Sequence, residues 1–333
     1  MRMKKTNRLY RCLLPLVWLT FLLSSCIKED YAGSTDETAT VNLVFSTRAD
    51  GQGTADVDEN EGIKTLRVLI TDADGKVEIN TVQNFNDVPE ITLTILGVPV
   101  GTKNFYVIAN EASVGLTDLD GVSTVDGNFL NRVITNPSDA PYFPKTRSQI
   151  STSGLPITGM KEGVQVKGGE NQRIEIEIVH TVAKVVLYVD NQSGEPFTLQ
   201  QVKFGPFIAD RTYLFDKSQQ LPVGVNFNEM PLNAEIVEVT PDKDEAVFTG
   251  YIYETGSQDI SDFTLSLVSN TKGFEALATP VTIHFDEAGR NYINRNDQVE
   301  IRATVNIHKE VETDLDILVV PWDEKDIDVP PFS

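Results

Sequence analysis

The strongest constraint on this chain is the period of its apolar residues. From Val41 onward they recur at alternate positions in short runs, broken roughly every 10 to 20 residues by Gly, Pro, Asn or Asp. Such runs include Val41–Phe45, Ile63–Ile70, Ile91–Leu96, Phe105–Ala109 and Ile174–Ile178, the last continuing through Val182–Val189. Further along come Phe197–Phe204, Ala246–Tyr253, Phe263–Val268, Val281–Phe285, Gln298–His308 and Asp314–Trp322. No segment longer than a turn or two keeps a helical period. An all-β chain follows, and 333 residues are enough for two cores of ordinary size. Two tandem antiparallel β-sandwich domains are expected. The break is placed near Gly168-Gly169, giving domains at 49–168 and 169–333.

The punctuation is specific in places. Thr71-Asp72-Ala73-Asp74-Gly75-Lys76-Val77 joins two alternating runs, and its Asp-Gly pair suits a tight hairpin turn. Asp72 and Asp74 could open a calcium loop, but the twelfth position is Gln83 rather than a carboxylate, so the hairpin is preferred. Asp50–Gly62 is rich in Gly and acid without apolar period and reads as a flexible segment open to proteases. Pro137, Pro141 and Pro144 mark another loop region before Gly154-Leu155-Pro156-Ile157-Thr158-Gly159.

The N-terminus is of a different kind. Arg2, Lys4, Lys5, Arg8 and Arg11 precede an apolar run from Cys12 to Leu23, the layout of a secretory signal over residues 1–25. The run falls short of the ~20 residues that span a bilayer as a helix. Leu23-Ser24-Ser25-Cys26 resembles a bacterial lipoprotein box, which would make Cys26 the lipidated first residue and tether the chain to the outer membrane; the alternative is an ordinary cleavage beside an ordinary Cys. Several acyl chains would hold such a protein on a membrane almost indefinitely. Ile27-Lys28-Glu29-Asp30 resembles the surface-export signal of Bacteroidetes lipoproteins, though a charged spacer would look alike.

Loss of residues 1–25 removes five bases and no acid, taking the formal charge from −21 to −26. That excess of acid argues against nucleic acid as a partner and for a solvated, self-repelling surface. The two cysteines, Cys12 and Cys26, both fall in the leader and anchor, so no disulfide remains for the folded part. His180, His284 and His308 lie within expected strands, far apart in sequence, and lack the spacing of a metal site. Neither a Gly-x-Ser-x-Gly elbow nor a phosphate-cradling Gly loop occurs. Glu175 and Glu177, two apart on a strand, share one face, whereas a glycosidase needs its acids on opposing walls. Neither catalysis nor a cofactor nor a metal is expected. A glycan-binding lipoprotein would need exposed aromatics, and beyond the leader the one Trp, Trp322, lies in an apolar strand where core is its expected place.

Several short segments, in order, resemble the fimbrillins, pilin subunits of Bacteroidetes surface fimbriae. They are Phe45-Ser46-Thr47-Arg48-Ala49, Gly62–Val68, Val98-Pro99-Val100-Gly101 before Tyr106–Asn110, Gly154–Gly159, Val182-Ala183-Lys184-Val185, Ile293-Asn294-Arg295-Asn296 and Val320-Pro321-Trp322. His180 departs from the pattern, where an Arg would be expected.

The resemblance implies two transthyretin-like sandwiches and a structural subunit that polymerises with others of its kind at the cell outer membrane surface, with a role in adhesion to a host or bacterial receptor. It implies residues 26–48 as a propeptide carrying the first strand, cut by an Arg-directed protease between Arg48 and Ala49. Val41, Leu43 and Phe45 would then be displaced by Leu315, Ile317 and Val319 of a donor strand placed within Leu315 to Val329. The competing readings are a surface Arg near a loop for Arg48, and an ordinary edge strand for the C-terminal segment. A lipid-retaining anchor subunit is the alternative role.

Overall fold

The structure is a computed structural model that describes residues 38–46, 60–135, 143–150, 152–234, 238–241, 244–256, 263–285, 290–312 and 314–322. The first half of the chain forms β1 (Thr38–Ser46), β2 (Ile63–Thr71), β3 (Val77–Val88), β4 (Glu90–Pro99), β5 (Gly101–Ala109), β6 (Val133–Thr135), β7 (Lys145–Thr146), β8 (Ile157–Val166), β9 (Asn171–Glu177) and β10 (Val179–His180). The second forms β11 (Val182–Asn191), β12 (Phe197–Ala209), β13 (Arg211–Tyr213), β14 (Phe227–Asn233), β15 (Glu238–Val239), β16 (Asp244–Tyr253), β17 (Thr264–Ser269), β18 (Val281–Phe285), β19 (Asp297–Val305) and β20 (Asp314–Pro321). Between β5 and β6 stand only short helical turns, such as Gly127–Leu130, capped by the Asp126 carboxylate accepting from the Asn128 and Phe129 amides.

In the first half a three-stranded sheet, β4-β1-β9, faces a five-stranded one, β10-β8-β5-β2-β3. Val41, Leu43 and Phe45 meet Ile91, Leu93 and Ile95 of β4 and Ile174 and Ile176 of β9 in one core with Leu66, Val68, Ile70, Phe105 and Val107 of the facing sheet. The strands of the second half form one long sheet, β14-β12-β17-β18-β20-β19-β11-β16, with β15 on β12, and β7 of the first half adds to its β16 edge. It curls over its own core: Phe204 on β12 meets Phe248 on β16 edge to face, ring centres 5.5 Å apart. A third core joins the halves, where Tyr106, Phe129 and Phe143 pack with Leu214, Tyr251, Tyr253 and Trp322.

The all-β reading holds, but three expectations need correction. Pairing is not antiparallel throughout, since β1 runs parallel to β9, β11 to β19 and β18 to β20. The first strand of each half is inserted between an antiparallel neighbour and a later, parallel one, which local alternation cannot reveal. Asn171–Glu177, assigned from sequence to the second half, bonds along β1 in the first; Gly169, with φ +69°, turns the chain from β8 into β9 rather than marking a linker. Finally, β19 ends at Val305, and His308 lies exposed in a turn that bonds Asn306 to Glu310. His180 and His284 do lie in strands, the first buried and the second exposed.

The Asp72–Gly75 turn is the expected hairpin: the Asp72 carboxylate accepts from the Asp74 and Lys76 amides at 3.0 and 2.9 Å, and Gly75 takes φ +84°. Asn110 explains two of the short motifs. Its Oδ1 accepts from the Lys64 and Thr65 amides while its Nδ2 donates to the Gly62 and Leu155 carbonyls at 2.9 and 2.6 Å. A Cβ on Gly154 would stand 2.7 Å from that Nδ2, so glycine is required there. Arg295 of the Ile293–Asn296 motif is buried against Glu254, Thr212 and the Tyr213 carbonyl.

Candidate functional site: the first-strand slot and the C-terminal strand

β1 is not an edge strand. It is antiparallel to β4 and parallel to β9, and both neighbours engage it over residues 41–46. Val41, Leu43 and Phe45 are fully buried. At ~1.5–3 kcal/mol for each such side chain, these three alone contribute about 5–9 kcal/mol of apolar burial. On the outer face Asn42 bridges its neighbours, accepting from the Thr94 hydroxyl at 2.7 Å and donating to Asn171 Oδ1 at 2.7 Å. Without β1, the gap would expose two rows of unpaired backbone groups and a row of apolar pockets, a strand-shaped slot.

The second element is β20. It too is interior, between β18 and β19, with Leu315 and Ile317 buried and Val319 half-buried. Its engagement is diagonal. β18 pairs with residues 314–317 and β19 with residues 317–321, so among the described residues Ile317 alone is held from both sides. The expected donor strand thus rests within its own half, bonded on one side along most of its length.

Where β20 ends, Trp322 joins the halves. Its indole Nε1 donates to Glu61 Oε2 at 3.2 Å, and its ring stacks on His180 at 4.2 Å between centres. Glu61 Oε1 accepts from the Tyr251 hydroxyl and lies 2.9 Å from Lys184 Nζ. His180 Nε2 sits 3.0 Å from the Glu61 carbonyl. Glu61 is 2% exposed, so the ion pair is a buried one. Asn60–Gly62, expected to be flexible, is therefore fixed: the Asn60 and Gly62 amides both donate to the Asp87 carboxylate. Sequence reasoning named Trp322 as core but missed Glu61, Lys184 and Tyr251. An acid in an acid-rich stretch carries no local sign of burial.

Cys26, Arg48 and Ala49 lie outside the described residues, as do residues 323–333. Among the described residues no group of three His, Cys, Asp or Glu converges as for a metal, and no helix is long and apolar enough to cross a membrane.

Residues 39–178 match the family model described as the major fimbrial subunit protein (FimA). No curated protein matches the sequence. Among solved structures, the tip fimbrial protein Mfa3 from Porphyromonas gingivalis is similar in fold at 14% identity, with TM-score 0.55, over 85% of this chain and 100% of that one. A fimbrial assembly protein from Parabacteroides distasonis is similar at 17% identity and TM-score 0.54, covering 87% and 97%. A fimbrilin (FimA) from Porphyromonas gingivalis W83 is similar at 14% identity and TM-score 0.52, covering 85% and 97%. The matched segment runs from β1 through β9, the strands that build the slot. Over those residues the chain is similar to the FimA family of major fimbrial subunits.

Proposed function

We propose that this chain is a fimbrial subunit exported as a lipoprotein on Cys26, cut by an Arg-directed protease between Arg48 and Ala49, and polymerised by donor-strand exchange. The observation that carries the reading is β1 itself. It fills the middle of a sheet, yet it is the first strand among the described residues, and the segment that follows it contains Arg48. A cut there would leave β1 held by non-covalent contacts alone, free to exchange for a strand of like pattern. β20, with Leu315, Ile317 and Val319 alternating as Val41, Leu43 and Phe45 do, is the strand assigned to fill the next subunit's slot. Requiring the cut would delay polymerisation until after export. Two transthyretin-like domains, attachment to the outer membrane before processing, and adhesion to a surface receptor complete the proposed role.

The test is the N-terminal sequence and intact mass of the protein purified from its own cell surface. A chain beginning at Ala49 within ladder-forming polymers is the expected result. A chain beginning at acylated Cys26 with Arg48 uncut would point instead to an anchor subunit. Arg48→Ala is expected to yield a folded, lipidated monomer without fibres, and fibres of normal length from that variant would refute the processing step.

A further inference from the structure

We infer the register of the exchanged strand: Leu315, Ile317 and Val319 of one copy replace Val41, Leu43 and Phe45 of the next, with Asp316 at the place of Asn42 between Thr94 and Asn171. This inference rests on the exchange reading above and adds the alignment that makes it specific.

Three observations select the register. The slot engages a strand from both sides over residues 41–46, a window of six positions. In an interior strand the carbonyls of both neighbours need backbone N–H donors throughout such a window, and proline has none to offer. Aligning Leu315 with Val41 fills the window with residues 315–320 and sets Pro321 at the first position beyond it. In its own half Pro321 likewise pairs with β19 alone.

A shift of two residues that aligns Ile317 with Val41 fails twice. It carries Pro321 into the window at Phe45, and it brings Leu315 to the place of the smaller Ala39, which is buried. The opposite shift, Leu315 on Leu43, leaves the Val41 pocket to Thr313. Odd shifts turn the apolar face outward, because the side-chain period is two. The reversed orientation keeps three apolar residues in the pockets but puts Pro321 at Ala39, within the β1–β4 ladder.

The outer face agrees. Asn42 is bonded from one neighbour by the Thr94 hydroxyl and bonds the other at Asn171. A carboxylate at that position can accept from the same hydroxyl and, with the Asn171 amide turned, from its NH2 group. The alignment of Ile317 with Val41 and the reversed one would each place Leu318 there and leave both polar partners to water. The register also accounts for the direction of exchange. In its own half β20 is engaged from both sides at Ile317 alone among the described residues, whereas the slot offers six such positions.

Cysteine pairing in polymers of the full-length chain, produced in its native cells, tests the alignment. Cleavage behind Arg48 removes both natural cysteines, Cys12 and Cys26, so introduced pairs report alone. Asn42 stands directly opposite Thr94 on the antiparallel neighbour, within the Cα separation a disulfide bridges. The double variant Thr94→Cys/Asp316→Cys is therefore expected to give a covalent ladder on non-reducing gels that collapses on reduction. A ladder obtained only from Thr94→Cys/Leu318→Cys would overturn the register while leaving strand exchange standing. Polymers in which neither pair is linked would overturn it too. Should the unsubstituted chain form no polymers held by its C-terminal strand, the exchange reading fails, and the register with it. The single variants Thr94→Cys and Asp316→Cys, each polymerising like the parent, control for damage to folding.

Discussion

Glu61→Ala tests how firmly the two halves are joined at the end of β20. The substitution would take the Glu61 carboxylate away from the Lys184 ammonium, 9% exposed, from the Tyr251 hydroxyl and from the Trp322 indole. Removing one partner of a buried ion pair typically costs 3–5 kcal/mol, because the remaining charge stays desolvated. The two hydrogen bonds lost with it belong to the same network, so their cost overlaps that figure rather than adding to it. With a urea m-value of about 2–3 kcal/mol per M, the unfolding midpoint should fall by about 1–2.5 M. In a chain starting after Cys26, Trp322 is the one tryptophan, so its fluorescence reports this site directly. Adding Lys184→Met removes the buried cation that Glu61 had paired and should recover at least half of the loss. A midpoint for Glu61→Ala within about 0.3 M of the parent, well under that expected shift, would refute the reasoning. So would a double variant no more stable than Glu61→Ala alone.

Two other perturbations follow from the geometry. Asn110→Ala would take from four backbone groups their buried partner, and at about 1–3 kcal/mol for each group left unpaired it should cost at least ~2 kcal/mol in chemical denaturation. The variant would also put alanine at φ +55°, which L residues rarely adopt. The Arg211 guanidinium beside Asp210, helped by bonds from Asn226, holds its carboxyl down at about 2 against an ordinary 3.8. A depressed carboxylate stabilises the fold above the unfolded value, and that contribution is lost as pH falls through the folded one. Melting temperature should thus drop between pH 4 and pH 2, and Asp210→Asn should flatten that part of the profile; an unchanged slope would contradict the assignment.

The slot and the strand proposed to fill it were largely legible in the sequence, because both rest on alternation. Val41, Leu43 and Phe45 are buried as their period requires, and Leu315 and Ile317 likewise. The Asp-Gly hairpin was legible for the same reason, being local chemistry. What the sequence concealed were relations between distant segments. Nothing in Asn171–Glu177 announces that it runs parallel to β1, since both antiparallel and parallel strands alternate alike when one face is buried. Nothing in Glu61 distinguishes it from the acids before it; its burial is set by Lys184, Tyr251 and Trp322, which arrive from the second half. Asn110 appeared in the sequence as part of a motif, but the motif's reason, a side chain tying three strand ends together, is visible only in the fold.

The parallel seam between β1 and β9 also dictates when the first half can be finished. Asn42 and Asn171, bonded across it, are 129 positions apart, so the seam closes only after nearly the whole half has been synthesised. Closing so long a loop is slow, and contacts of this separation are made late in folding. Until β9 arrives, β1 has one neighbour and the sheet stays open. A chain built this way remains threadable for as long as β9 is missing, which suits the export proposed above.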